Sequence, residues 1–311
     1  MRQKTLECRN EKELFTGIKD LFHAGAARMH RNHYGPKIYT DLQRVALLIL
    51  RVRSGDSYKK FCEQTLPESK WPEWLGLREL PSKTSLHRWA SEFDMALLRR
   101  LNKQLLANEE PSTLAIDGTG VDSWRQSRHY ERRVGENGRD FAKVDIIVDT
   151  DTLLVYDWSL LVKPRHDAHV AKSLLRRLHA RGATIIGDKG YDSEELYAIC
   201  EEAGNRFYAP LRNAPRSDEP PERLGWYKKR SHNAEEIDYH RRSLVESTIR
   251  SLKSRIGALS ARLHYMKKRE FAWHVLARNL ELHISLLLRA LRALATEVLP
   301  TNSPEKFVIW D

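Results

Sequence analysis

The sequence has few cysteines and no uninterrupted apolar run of membrane-spanning length. Its three cysteines, Cys8, Cys62 and Cys200, lie too far apart for the paired spacing that zinc sites use. We therefore expect them to be reduced thiols of a cytosolic protein. Met1 is followed by polar residues, so the start does not read as a signal peptide. Charged residues interrupt the apolar stretch 271–299, and we expect no membrane span.

Acidic residues are also scarce relative to basic ones. The 311 residues carry a formal net charge of +11, which suggests a polyanionic partner, nucleic acid first. The excess is concentrated in residues 221–270, which contain 13 Lys and Arg against 6 Asp and Glu. A hydrophobic content of 41% is enough for a folded core. We therefore expect a polyanionic partner to contact this basic segment.

Residues 1–110 are predicted to be mostly helical, with a helix-turn-helix-like DNA-binding character. A helix is expected from about Tyr39, with Thr40 or Asp41 as its cap. A later helix is expected to start at Ser82. The boundary to the next domain is placed in the polar segment 108–112.

The helix that follows Ser82 carries Lys83 and Arg88 near its start. Basic and small polar residues in a first turn suit a recognition helix, because that turn can contact phosphates and base edges. The alternative is an ordinary capped helix packed through Leu86 and Trp89. The sequence leaves the two interpretations open.

From Ser112 the pattern changes to alternating strands and helices. Strands are expected at 113–117, 142–149, 153–162, 184–188 and 206–211, and helices at 169–181, 193–203, 239–253 and 268–296. The second and third strands are joined by a short turn, as in a hairpin. This order predicts an α/β fold with an RNase H-like mixed sheet and flanking helices. We divide the chain into a helical domain (1–110), a catalytic domain (111–297) and a tail (298–311).

The segment 121–139 is rich in basic and aromatic residues, among them Arg125 and Arg128. Such a mixture suits a flexible DNA strand, through phosphate neutralisation and base stacking. A solvated surface loop explains it equally well.

Two aspartates, Asp117 and Asp188, are each expected to end a short apolar strand before a glycine-containing turn. Alone, either residue suits a turn or a helix cap. Together with Glu246 on a later helix, they supply the oxygen ligands that two hard divalent cations need. Two such cations can activate the attacking oxygen and stabilise the leaving oxygen of a phosphoryl transfer.

The segment from Tyr239 to Lys253 contains no glycine or proline and is predicted to form one amphipathic helix. On a helical wheel, Tyr239, Arg242, Glu246 and Lys253 share a sector of roughly 60°. A neighbouring apolar stripe is expected to pack on the sheet; it consists of Leu244, Val245, Ile249, Leu252, Ile256 and Leu259.

These pieces resemble the DDE transposases of prokaryotic insertion sequences. The match rests on the strand that ends at Asp117, the Gly-Asp-Lys-Gly-Tyr run around Asp188, and a Tyr-x2-Arg-x3-Glu-x6-Lys pattern from Tyr239 to Lys253. Pro164-Arg-His166-Asp167 also looks like a segment common in these enzymes, although a loop-to-helix cap explains His166 and Asp167 as well. The 58 positions between Asp188 and Glu246 leave no room for the large β-rich insertion of some relatives.

The resemblance implies roles for these residues. Asp117, Asp188 and Glu246 would bind two Mg²⁺ or Mn²⁺ ions and form the catalytic triad, and Tyr239, Arg242 and Lys253 would grip the DNA. The expected function is binding of double-stranded DNA at the terminal inverted repeats, cleavage, and joining of 3′-hydroxyl ends to target DNA by a homodimer in the prokaryotic cytoplasm, in association with the nucleoid. The alternatives are a two-metal nuclease that does not join strands and a non-catalytic DNA-binding derivative.

Overall fold

The computed structural model describes residues 11–24, 38–123, 141–163, 165–211, 225–226 and 237–298. Within these ranges no helix combines the length and apolarity that crossing a bilayer requires.

The described residues up to Leu105 form helices, as expected from the sequence. Their bounds are α1 Glu11–Ala24, α2 Asp41–Ser54, α3 Tyr58–Lys60 with a π-helical turn Phe61–Thr65, α4 Trp71–Trp74, α5 Lys83–Glu92 and α6 Met95–Leu105. The predicted caps are confirmed. Thr40 Oγ1 accepts a hydrogen bond from Gln43 N (3.2 Å), and Ser82 Oγ accepts one from Ser85 N (3.1 Å). These bonds satisfy backbone donors that a helix start leaves unpaired.

Five strands form one mixed sheet. They are β1 Thr113–Asp122, β2 Phe141–Asp149, β3 Val155–Leu161, β4 Thr184–Ile186 and β5 Arg206–Tyr208, in the spatial order β3-β2-β1-β4-β5. The first three strands are antiparallel, whereas β4 runs parallel to β1 and β5 parallel to β4. The predicted hairpin and the mixed α/β fold are confirmed.

The expected end of the first strand at Asp117 is wrong. β1 continues to Asp122, and Asp117 pairs with Ile146 in the middle of the β1–β2 ladder. The physical reason lies at Gly118: a Cβ atom there would lie 2.8 Å from Asp145 Oδ1. Because Gly118 has no side chain, the Asp145 side chain of β2 can lie over the Gly118 backbone. Gly118 is therefore part of the strand and does not form a turn.

Helices cover both faces of the sheet. They are α7 Asp167–Arg177, α8 Glu194–Glu202, α9 Ser243–Ile256 and α10 His264–Val298. Because side chains alternate along a strand, Leu114 and Ile116 of β1 pack with α7 and α8, whereas Ala115 belongs to a second apolar cluster. That second cluster continues without a break into α9, α10 and the N-terminal helices.

Two asparagines link the N-terminal helices to the edge of the sheet. Asn279 of α10 donates to the backbone oxygen of Val155 in β3 (2.7 Å) and accepts from its nitrogen (3.0 Å). Asn279 also donates to Asn102 Oδ1 of α6 (2.8 Å), and Asn102 donates to the same Val155 oxygen (2.9 Å). These buried bonds satisfy the backbone of an edge strand.

Candidate active site

Asp117 lies on the central strand and is only partly covered. Its side chain is 18% exposed, and Oδ1 accepts a hydrogen bond from Gly118 N (2.8 Å). Its Oδ2 lies 3.8 Å from Arg242 Nη1. The carboxylate therefore faces the segment that precedes α9.

Asp188 follows the neighbouring parallel strand, as expected. It caps a short 3-10 turn, Lys189–Tyr191, and its Oδ1 accepts from Gly190 N (2.8 Å). Since β4 pairs with β1, the turn brings this carboxylate to the same part of the sheet as Asp117. The prediction that the sheet brings two aspartates together is thus consistent with the strand order.

The segment from Tyr239 to Lys253 is not one α-helix. Tyr239–Arg242 forms a 3-10 turn, and α9 starts at Ser243, so Tyr239 does not share the α-helical phase of Glu246. Arg242 stands at the junction. Its Nη2 donates to Glu246 Oε1 (2.8 Å), which makes the guanidinium a bridge between Glu246 and Asp117.

Asp117, Asp188 and Glu246, which we call the outer carboxylates, act on one another electrostatically. Burial raises the pKa of Asp117, and the charges of Asp188 and Glu246 raise it further, while Gly118 and Arg242 oppose the rise. The pKa of Arg242 is raised by Tyr239, Asp117 and Glu246 although burial acts against it. Arg242 thus partly offsets the charges of Asp117 and Glu246, while Asp188 adds a third negative charge that acts on Asp117.

Tyr239 lies at the edge of this group. Its ring meets that of Tyr208 edge-on, with centroids 5.8 Å apart. Burial raises the pKa of Tyr239, Arg242 opposes this, and Asp188, Tyr208 and Asp117 add to the rise. The tyrosine therefore reaches the outer carboxylates from the 3-10 turn.

Lys253 lies on α9 two turns beyond Glu246, about 10 Å further along the helix axis. It is half-buried. The apolar stripe beneath it is largely as predicted, since Val245, Ile249, Leu252 and Leu259 are buried and Leu244 and Ile256 are half-buried. This packing fixes which way the polar side of α9 points.

A second charged group lies beside the outer carboxylates; sequence reasoning named its Asp167 but missed Lys143 and Asp145. We call Lys143, Asp145, Asp167 and Tyr191 the inner cluster. Lys143 forms an ion pair with Asp167 and lies 3.7 Å from Asp145 Oδ1, which also accepts from the Tyr191 hydroxyl (3.1 Å). The signal in the sequence was a charged Lys-x-Asp pair within an otherwise apolar strand.

Asp145 is the buried member of the inner cluster. Its side chain is 0% exposed, and Oδ2 has no hydrogen-bond partner among the described residues. Burial raises the pKa of Asp145 to about 6; Asp167 adds to the rise, whereas Lys143 and Tyr191 lower it. Asp145 stands opposite Gly118, next to Asp117, in the β1–β2 register.

Asp167 is at the start of α7, but its side chain is used for the ion pair with Lys143. His166 occupies the cap position and provides no side-chain cap. A Cβ atom on Gly190 would lie 2.8 Å from Asp188 Oδ1 and 3.2 Å from Asp167 Oδ2. Asp167 therefore flanks the turn that holds Asp188.

The other predicted DNA contacts are only partly described. Lys83 and Arg88 are exposed on α5, where Arg88 also pairs with Glu92 (3.4 Å), while Leu86 and Trp89 are buried. Both interpretations of this helix stay open. Arg125 and Arg128 lie outside the described residues.

The donor set of the outer carboxylates suits hard divalent cations, which prefer carboxylate oxygens. Among the residues with described positions, no three His, Cys, Asp or Glu side chains already form a ligand set. The guanidinium of Arg242 bridges two of the three carboxylates instead. The chemistry of the residues fits a metal, and the pairing with Arg242 must loosen for all three to share one.

Comparisons with known proteins show to which family a chain with this site belongs. A search of curated proteins finds no match. Two solved structures that match are the catalytic core domain of BIV integrase (14% identity, 47% of this chain and 68% of that one, TM-score 0.26) and a piggyBac transposase synaptic complex with hairpin DNA (10%, 96% and 85%, TM-score 0.39). Residues 108–282, more than half of the chain, match the family model of the transposase DDE domain. The chain therefore belongs to the DDE transposase domain family.

Proposed function

We propose that the protein is a DNA transposase that recognises the terminal inverted repeats of its own insertion sequence, cleaves at the ends and joins the 3′-hydroxyl ends to target DNA. The observation that carries this proposal is the convergence of Asp117, Asp188 and Glu246 from three separate elements, with their electrostatic coupling. Membership of the family supports the class of reaction.

The outer carboxylates would hold two Mg²⁺ or Mn²⁺ ions, which when bound supply activation of the attacking oxygen and stabilisation of the leaving oxygen. Arg242 would move from Asp117 and Glu246 to a DNA phosphate as the carboxylates take up cations, because Arg binds phosphate through two parallel hydrogen bonds. Lys253 would hold a second phosphate along α9. Tyr239 would offer its ring to a base or sugar at the end of the element.

The remaining parts of the proposal concern assembly and recognition. A homodimer would pair two element ends, and the N-terminal helices, with Lys83 and Arg88, would read double-stranded DNA. Arg125 and Arg128 would contact the strand near the cut. The protein would act on the nucleoid in the prokaryotic cytoplasm.

A strand-joining assay tests the function. Labelled DNA that carries the inverted repeats flanking the gene is incubated with the protein, a target plasmid, and Mg²⁺ or Mn²⁺. We expect both cleaved ends and labelled plasmid. Cleaved ends without joined product would identify a two-metal nuclease, and binding without cleavage would identify a non-catalytic DNA-binding derivative.

A further inference from the structure

A second candidate site lies away from the outer carboxylates, between the N-terminal helices and the start of α10. It is a cavity of about 570 Å³, which we call the interhelical cavity. Its lining includes residues of α2, α3 and α5, the loop 260–263 that follows α9, and the first turns of α10. The volume lies within the range of small-ligand sites in proteins, roughly 300–1,000 Å³.

Aromatic and imidazole rings form much of the wall. Tyr58 and His87 meet edge-on with centroids 5.4 Å apart, and the Arg51 guanidinium lies 4.3 Å from the centroid of the Tyr58 ring. On the other side, the Arg269 guanidinium lies 5.0 Å from the centroid of Tyr265, whose ring is 49% exposed. Rings and planar guanidinium groups are the surfaces on which nucleic-acid bases stack.

The lining is also positively charged. The cavity is lined by three arginines, Arg51, Arg262 and Arg269, and by one carboxylate, that of Glu270. Arg51 and Arg269 also donate hydrogen bonds to the backbone oxygens of Asp56 (2.9 Å) and Ser91. The Glu270 carboxylate accepts hydrogen bonds from the backbone of Ser260 (3.0 Å) and Ala261 (2.9 Å) and so fixes the 260–263 loop. The cavity therefore combines flat apolar surfaces with a cationic rim, which suits a group that has both a planar ring and a phosphate.

The position of the cavity relates it to the outer carboxylates. The loop that lines it follows α9, whose first turn carries Glu246. Beyond Glu246, α9 spans about 15 Å, the length of about four base pairs, and the loop that lines the cavity lies past the end of this helix. His87, on the cavity wall, belongs to the same helix as Lys83 and Arg88. DNA that followed α9 from Glu246 would reach the cavity within one helical turn of the duplex.

We propose that the interhelical cavity binds one unpaired nucleotide of the DNA, with its base stacked against Tyr265 and the Tyr58–His87 pair and its phosphate near the arginines. This inference rests on the proposed function for its ligand. It adds a site for an extruded base about six base pairs from the cleaved end.

A pair of matched duplexes tests it by fluorescence anisotropy with the full chain. Both 30-base-pair duplexes carry the inverted repeat that flanks the gene. One is fully paired, and the other has a single unpaired thymidine six positions from the end of the repeat. We expect at least tenfold tighter binding of the bulged duplex. His87→Leu and Tyr265→Leu should each remove that preference and leave affinity for the paired duplex within twofold. His264→Ala, an exposed histidine on α10 outside the cavity, should keep both affinities.

Cross-linking on the unaltered protein gives an independent result. The unpaired thymidine is replaced by 5-iododeoxyuridine and irradiated, and the adduct is mapped by mass spectrometry. Adducts on Tyr58, His87 or Tyr265 support the proposal. Equal affinity for the two duplexes, or adducts elsewhere, would overturn it while cleavage by the outer carboxylates stayed intact. If neither duplex bound, both this inference and the proposed function would fail.

Discussion

The outer carboxylates and the inner cluster are adjacent on the sheet but differ in how their charge is balanced. In the outer group, Arg242 pairs with two of the three carboxylates, those of Asp117 and Glu246, and Glu246 is 49% exposed. In the inner cluster, Lys143 serves two carboxylates, and Asp145 is fully covered. The outer group keeps excess negative charge where solvent ions and DNA can reach it. The inner cluster limits its charge through burial, which raises the pKa of Asp145 to about 6.

This difference favours a chemical role for the outer carboxylates and a structural role for the inner cluster. An accessible cluster with unbalanced negative charge attracts cations, whereas a buried one must be paired or neutralised. Substitutions in the two groups should therefore separate loss of activity from change of stability.

The largest expected effect is on catalysis. Glu246→Gln should lower the rate of DNA cleavage by at least about 10³-fold, equivalent to about 4 kcal/mol of transition-state stabilisation, because the proposed metal ligand would lose its charge. Affinity for DNA should change little. Single-turnover cleavage and a binding titration measure the two quantities. Glu202→Gln, on the exposed end of α8, is the matched control, and retained cleavage in Glu246→Gln would remove this residue from the triad.

The next effect concerns stability and pH. The raised pKa of Asp145 means that the folded state binds a proton more tightly than the unfolded state. The contribution of Asp145 to folding stability should therefore decline as pH rises from about 4 through the folded pKa of about 6, by roughly 2 kcal/mol, and level off above it.

Asp145→Asn should remove this decline. We expect the variant to gain stability relative to the unaltered protein as pH rises from 4 to 8, measured by urea unfolding in EDTA. Tyr191 can still donate to the amide oxygen, and Lys143 keeps its ion pair with Asp167. If the difference in stability between the variant and the unaltered protein stayed constant across this pH range, Asp145 would be charged in both the folded and the unfolded state. The contrast between the outer carboxylates and the inner cluster would then be weaker.

A smaller effect is expected at Arg242. Arg242→Ala should weaken DNA binding about tenfold near physiological salt and make the slope of log K against log salt shallower by about one. Stability without DNA should fall by about 1 kcal/mol at most, since the bridged ion pairs are partly exposed. Arg242→Lys should restore the slope but not the full affinity, because Lys lacks the bidentate geometry.

The smallest effect is expected at Lys253. Lys253→Ala should reduce the salt slope by about one phosphate contact and leave cleavage at saturating DNA nearly unchanged. Lys103→Ala, an exposed lysine on α6, serves as the control. Identical slopes for both variants would place Lys253 on the solvated side of α9.

Much of the fold was predictable because local signals agreed with the tertiary structure. The Thr40 and Ser82 caps, the hairpin and the order of strands and helices along the chain follow from turn residues and apolar periodicity. The continuation of β1 past Asp117 was not predictable. Gly118 there accommodates Asp145 from the neighbouring strand, and only the three-dimensional register reveals that contact.

The sequence predicted the residues of the candidate site better than it predicted their geometry. Arg242 and Glu246 of the predicted pattern lie near Asp117, and Tyr239 approaches it from a 3-10 turn. Lys253 lies about 10 Å beyond Glu246 along α9. Lys143 and Asp145 of the inner cluster were missed because they read as ordinary strand residues. Their partners Asp167 and Tyr191 are distant in sequence and meet them only through packing.

The asparagine bonds to Val155 have a consequence for truncated forms of the protein. A fragment that begins at residue 111 would retain the five strands of the described sheet but lose Asn102 and the α6 surface that covers the edge strand β3. Uncovered edge strands pair readily with other chains. We expect such a fragment to aggregate through β3, although it would contain all three outer carboxylates. The solubility of the protein therefore depends on helices that lie outside the sheet.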